Sequence, residues 1–346
     1  MMIYKKPKKL HPGDLVAIIS PSWGGPSLFP HIYEHGLKVI NNWGLKIKEM
    51  PTARASVDYL WANPKIRAND INNAFKDKNI KAIISSIGGD DSVRILPFLD
   101  RHTIKENPKI LLGFSDTTTL HVYCSINGLV TFYGPSIMAG FSQMGSLSLD
   151  FENHVKYMLF SNSNKYVYKG YKKHCEGYED WSKKENTGKT KKLENNTPWQ
   201  FIQGQKIAEG RLFGGCIEVL EFLKGTDFWP EREFWKNKVL FLETSENKPS
   251  ITQVRDFLRN YGMQGILSRL SALLFGRARD YTKKEKYDLN DMIIKVVNKE
   301  FGLKKIPIVT EMDFGHTDPQ FVLPLGVKVK IDCVAKEFCL TEPWLS

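Results

Sequence analysis

The stretch Lys109–Leu120, KILLGFSDTTTL, holds a strand signal, a turn and a helix start in close succession. The apolar run Ile110 to Leu112, bounded by Gly113, reads as a buried strand. Ser115 and Asp116 follow where the pattern changes to that of a helix, and serine is a favoured N-cap. The carboxyl end of such a strand is also where a doubly wound α/β sheet presents its ligand-binding groups. Ser115 is therefore either a cap or a nucleophile at a strand tip, facing the positive end of a helix dipole. Only half of the G-x-S-x-G elbow is present, because Thr117 stands where the second glycine belongs.

The same alternation extends on both sides. DLVAIIS, LKIKEM, KAIISSIGG and LVTFYGP read as strands, and HIYEHGLKVINNWG, NDINNAFKD and DSVRILPFLD as intervening helices. Single helices between strands imply parallel pairing with right-handed crossovers. The expectation is an α/β fold: an N-terminal doubly wound, mostly parallel sheet over residues 1–160, carrying Ser115. From 161 to 200 the periodicity fails, and this span reads as a linker or insertion loop. Residues 201–346 predict a smaller mixed α/β C-terminal domain. There RLFGGCIEVLEFLKGTD reads as a turn into a helix, ITQVRDFLRNYG as a helix closed by Gly262, and GVKVKIDCVAKEFCLTE as a terminal hairpin.

The bulk composition excludes several classes. Of 346 residues, 42% are hydrophobic and 25% charged, as in ordinary globular proteins. The net charge of +11 is interleaved with Glu and Asp even in the densest basic run, so no nucleic-acid partner is expected. No apolar run is long enough to span a bilayer, and MMIYKKPKKLHPGD is too polar for a signal peptide. Five cysteines without a CxxC pair favour reduced thiols and a cytoplasmic location. His174-Cys175 lacks a second ligand cluster, so neither a metal nor any other cofactor is expected.

Two further strand ends carry oddly placed polar groups. Glu243 closes the apolar run KVLFLE, where a carboxylate is costly unless paired. His316 lies in a Gly- and Pro-bounded loop after IPIVTEMDFG, whereas His31, His35, His102, His121 and His154 fall on or beside surface helices. Serine, carboxylate and histidine are what acyl transfer requires, and this chain order is one of those known for triads. The turn Gly88-Gly89-Asp90 offers backbone N–H groups that suit an oxyanion, together with that of Asp116. A phosphate cradle is the alternative, although neither G-x-G-x-x-G nor a Walker lysine is present.

The segments LHPGDLVAIISPS, IGGDDSVRILPFLD, LLGFSDTTTLH, FYGP, EGRLFGGCIEVLEFLKGTDFWP, VLFLETSE and DFGHTDPQFVLPLG, in that order, resemble the LD-carboxypeptidase family across almost the whole chain. That family includes murein tetrapeptide carboxypeptidases and microcin C self-immunity proteins. The resemblance implies a cytoplasmic, homodimeric serine peptidase with Ser115 as nucleophile, Glu243 as orienting acid and His316 as base. It further implies an oxyanion hole from Gly89 or Asp90 with Asp116. The insertion carrying YEDW and TPW resembles the microcin-immunity branch, implying stacking of a nucleotide on Trp181 or Trp199. Cys216 stands where related sequences commonly have Asn, which puts identical specificity in question, and Arg94 is a candidate for the substrate carboxylate. The expected substrate is thus an aminoacyl- or peptidyl-nucleotide. A murein peptide is the alternative, and a non-catalytic nucleotide- or sugar-binding protein is the reading from another class.

Overall fold

The computed structural model describes residues 3–346. Five parallel strands, β1 (Leu15–Ile19), β2 (Lys46–Glu49), β3 (Ile80–Ser85), β4 (Ile110–Gly113) and β5 (Thr131–Tyr133), lie in the order β2-β1-β3-β4-β5. The central strands β3 and β4 are apolar and almost wholly buried because helices cover both faces of the sheet. The chain reverses direction across the sheet between β1 and β3, which opens a crevice at the carboxyl ends of the strands. One strand from the far end of the sequence, Leu323–Leu325, adds antiparallel to β5. The C-terminal half thus contributes to the N-terminal sheet.

The second sheet is mixed. Ile207–Cys216, Lys238–Glu243, Leu270–Gly276 and Ile308–Met312 form its parallel centre. The hairpin Lys328–Asp332 with Glu337–Leu340 pairs antiparallel on one side, and Gln200–Gln203 on the other. Helices Ile251–Met263 and Lys283–Ile294 supply its crossovers. Each begins in a capping box, Ser250 with Gln253 and Thr282 with Glu285.

Three expectations are corrected. RLFGGC is the end of a ten-residue strand, not a turn. Its Gly214-Gly215 pair serves close approach instead. A Cβ at Gly214 would lie 1.8 Å from the Phe241 carbonyl oxygen, and one at Gly215 would lie 2.5 Å from the Thr118 side chain in the other domain. Gly262 does not end its helix, which runs to Met263; the ring of Phe301 occupies the space a side chain would need. His121 and His154 are buried, not superficial. His121 is shared between Thr131 and the Gly113 carbonyl, and His154 Nε2 accepts the Val322 N–H.

The span 161–200 is also more ordered than its composition implies. Lys173–Glu176 pairs antiparallel with Glu194–Asn195 and with Thr317–Asp318, directly after His316. Asn196 and Trp199 then donate to the Asp313 carboxylate at 2.6 and 2.8 Å, and Arg277 completes that site at 2.8 Å. Both Arg277 and Asp313 are fully buried. Removing one member of such a pair leaves an uncompensated charge in the interior. Asp313→Ala is expected to cost about 3–5 kcal/mol of folding stability in urea denaturation.

Candidate active site

Ser115 follows β4 and opens the helical turn Ser115–Thr117, which continues as the helix Thr118–Ile126. Its φ is +58°, a left-handed conformation that residues with a Cβ rarely adopt. A strained serine between strand and helix is the backbone signature of a nucleophile elbow. Close packing around it falls on Gly88 from the loop after β3. A Cβ there would stand 2.9 Å from the Ser115 Cβ and 3.0 Å from its Oγ.

Glu243 and His316 arrive from the second sheet. Glu243 is the last residue of its strand and is fully buried. The His316 Nδ1–H donates to Glu243 Oε2 at 2.6 Å, and His316 Nε2 lies 3.0 Å from Ser115 Oγ. Gly315, at φ +97°, makes the first contact possible, since a Cβ there would sit 2.6 Å from Glu243 Oε2. Burial alone would depress the His316 pKa. The carboxylates of Glu243 and Glu246 outweigh it and raise it to about 10. The ring edge packs against Phe114, 5.1 Å between centroids.

Tyr133, the last residue of β5, is a member of this site that the sequence reading passed over. Its hydroxyl donates to Glu243 Oε1 at 2.5 Å and accepts the Ser115 N–H at 3.1 Å. Burial, and then the charge of Glu243, push the phenol well above its ordinary pKa, so it remains a donor. The only signal was FYGP itself, a tyrosine at a strand end beside the strand of the nucleophile.

The Gly88-Gly89 turn borders Ser115. Asp90 is removed from the donor set, because its N–H is already given to Ser22 Oγ at 3.1 Å, as is that of Asp91 at 3.2 Å. It is Gly88 that approaches Asp116, where a Cβ would stand 3.4 Å from its nitrogen, while Gly89 faces Ser22 and Trp23. The Asp116 N–H belongs to a first helical turn and has no intrahelical acceptor. The Asp116 carboxyl is fully buried beneath the turn, accepts the Ser92 N–H at 2.8 Å and is pushed up in pKa by burial.

The remaining candidates separate. Trp181 packs edge-on against Phe29 (5.9 Å) and beside Tyr178 (5.1 Å), with Trp23 on the far side of Phe29. This aromatic group adjoins the Gly89 turn, where a Cβ would lie 2.8 Å from the Trp23 backbone nitrogen. Trp199 is instead an anchor, its N–H spent on Asp313 and its ring set against Phe321. Arg94 is likewise engaged, with Asp91 and the Trp61 carbonyl, under the Trp61 ring. Cys216 lies beside Glu243 in register; its N–H donates to Thr118 Oγ1 at 3.1 Å. Burial, followed by the Glu243 charge, pushes its thiol pKa well up, so it stays a neutral thiol, and its S–H donates to Glu218 Oε2 at 3.5 Å.

A hydroxyl, an imidazole and a carboxylate thus meet in one hydrogen-bonded line, with backbone donors alongside. Residues 16–134 match the model of the LD-carboxypeptidase N-terminal domain, and residues 209–331 that of its C-terminal domain. The chain belongs to the LD-carboxypeptidase family. Within that family, the microcin C7 self-immunity protein MccF of Escherichia coli is 29% identical over 356 residues, covering 100% of this chain and 99% of its own. A solved structure of MccF, an inactive mutant in the apo state, superposes with a TM-score of 0.86 at 28% identity over 99% of each chain. Another, in complex with aspartyl sulfamoyl adenosine, gives 0.84 at 27% identity over 99% of this chain and 100% of that one. For this LD-carboxypeptidase family member, Tyr133→Phe removes a hydrogen bond to a buried charge. An expected loss of ~1.5–3 kcal/mol follows, read from the urea midpoint.

Proposed function

We propose that this chain is a serine amidase that hydrolyses the amide-like bond of aminoacyl- or peptidyl-nucleotides of the microcin C type. The observation that carries the reading is the line Ser115–His316–Glu243 at 3.0 and 2.6 Å, assembled across two sheets on a strained elbow. In the reaction, His316 Nε2 takes the Ser115 proton as Oγ attacks the carbonyl carbon. Glu243 holds the imidazole in place through Nδ1 and stabilises its charged form, while the N–H groups of Gly89 and Asp116 receive the oxyanion. His316 returns the proton to the leaving nitrogen, and water then releases the acyl group by the same steps.

The nucleotide side of the reading rests on the ordered insertion. Its strand pairs with the residues just after His316, and Trp181 joins Trp23 and Phe29 beside the Gly89 turn. A flat, partly exposed indole in this group suits a base, which stacks with ~1–3 kcal/mol per contact. MccF has been solved with aspartyl sulfamoyl adenosine, a ligand of this chemistry.

Ser115→Ala is expected to fold with an unchanged far-UV spectrum and to lose hydrolysis of an aminoacyl sulfamoyl adenosine by about 10³-fold or more. Full activity in the folded variant contradicts the assignment. Trp181→Ala should weaken the KM for that compound by about tenfold while leaving hydrolysis of a murein tetrapeptide within about twofold. Equal losses on both compounds would argue against stacking, and a preference for the tetrapeptide would favour the murein reading.

A further inference from the structure

A cavity of about 1150 Å³ lies between residues of the N-terminal half and the near ends of strands from the second sheet. Lys238 lines it and opens the strand that Glu243 closes. Five steps of ~3.3 Å along that strand set the two residues ~16 Å apart. The catalytic line and this cavity therefore stand at opposite ends of one strand.

The lining carries a row of like charge. Arg211 pairs in register with Lys238 on its parallel side and with Lys328 on its antiparallel side. Register partners on neighbouring strands share a face of the sheet, so three cations stand side by side, and all three line the cavity. Like charges placed this way repel. Among the described residues, Glu342 answers only one of them, meeting Arg211 at 2.7 Å. Arg211 Nε is buried with no hydrogen-bond partner among those residues. Lys238 is lonelier still. It is 5% exposed, and its ammonium donates only to the Tyr4 hydroxyl, at a long 3.4 Å, with the Phe234 ring centre 4.4 Å away. Burial, and then the charge of Arg211, depress its pKa to about 8. Glu209, Asp227, Glu231 and Glu233 also line the cavity, yet none forms an ion pair with the row; Glu233 is held by Arg269 at 3.0 Å.

A buried ammonium without a counter-ion is costly, and the hydrolytic mechanism makes no use of this one. An anion in the cavity satisfies Lys238 and Arg211 together. Cations spaced by ~4.8 Å across three strands suit a phosphate, with three outward oxygens, better than a carboxylate with two. The lining also has an apolar part. Tyr123 from the first half and Phe228 from the second meet at 6.1 Å between ring centres, and Trp229 follows. The volume is that of a small-molecule site and far exceeds what a bare phosphate fills.

We infer that this cavity binds a phosphorylated small molecule with a flat apolar body, its phosphate on Lys238, Arg211 and Lys328 and its body against Tyr123 and Phe228. The site is separate from the hydrolytic one and does not depend on the nucleotide reading of that site. No bond is made or broken in it.

The test is isothermal titration calorimetry of the full chain with naphthyl phosphate, inorganic phosphate and naphthol. One naphthyl phosphate per chain should bind, about tenfold or more tightly than inorganic phosphate, and naphthol should not bind. Lys238→Met should unfold at a higher urea concentration than the unaltered protein, because a buried charge is gone, and bind naphthyl phosphate about tenfold or more weakly. Lys328→Glu carries the same test at an exposed position, where folding is not at stake, and should also weaken binding about tenfold. Unchanged affinity in Lys328→Glu overturns the proposal, because the compound is then held elsewhere, the Ser115 cleft included. No binding by the unaltered protein overturns it as well. Equal affinity for inorganic phosphate overturns the organic ligand.

Discussion

The Glu243 carboxylate is fully buried and accepts two hydrogen bonds, one from Tyr133 and one from His316. An ionised carboxylate in the interior is tolerable only when its oxygens are satisfied. Tyr133 ends a strand of the first sheet, whereas Glu243 and His316 both come from the C-terminal half. Satisfying one charge therefore fixes how the two halves meet. The Ser115 N–H on Tyr133 extends the constraint to Ser115 itself. Thr118 on Cys216, beside Glu243, repeats it a few residues away.

Around that contact the molecule is organised by strand ends. Ser115 and the Gly88-Gly89 turn follow β4 and β3, Glu243 ends its strand, and His316 lies beyond Ile308–Met312. Parallel strands deliver their following loops to one edge, and such ends from both sheets meet at the site, Ser115 and Tyr133 from the first, Glu243 and His316 from the second. The 161–200 segment closes the remaining side through its pairing with Thr317–Asp318. Buried Arg277 and Asp313 hold that side in register through Asn196 and Trp199.

Much of this was legible in the sequence because apolar runs ending in polar residues are local signals. KILLGFS, KVLFLE and the loop of His316 each announced a strand end with chemistry on it, and the structure brings all three together. What stayed hidden is relational. Gly214-Gly215 reads as a turn until Thr118 and Phe241 are known to press against it. Tyr133 reads as one more apolar strand residue until a carboxylate faces it. Trp181 and Trp199 look alike in a polar loop, and only their neighbours distinguish an aromatic surface from an anchor. His121 and His154 have helical spacing that says nothing of which side is covered. Glu246 carried no signal, since an exposed acid after a strand is ordinary.

The central claim is that Ser115 is a nucleophile activated by His316. Treating the intact protein with a fluorophosphonate and locating the adduct by peptide mass spectrometry tests it most directly. One adduct per chain, on Ser115 and absent from a folded His316→Ala protein, is the predicted result. A folded protein left unmodified, or modified at another residue with Ser115 intact, would contradict it.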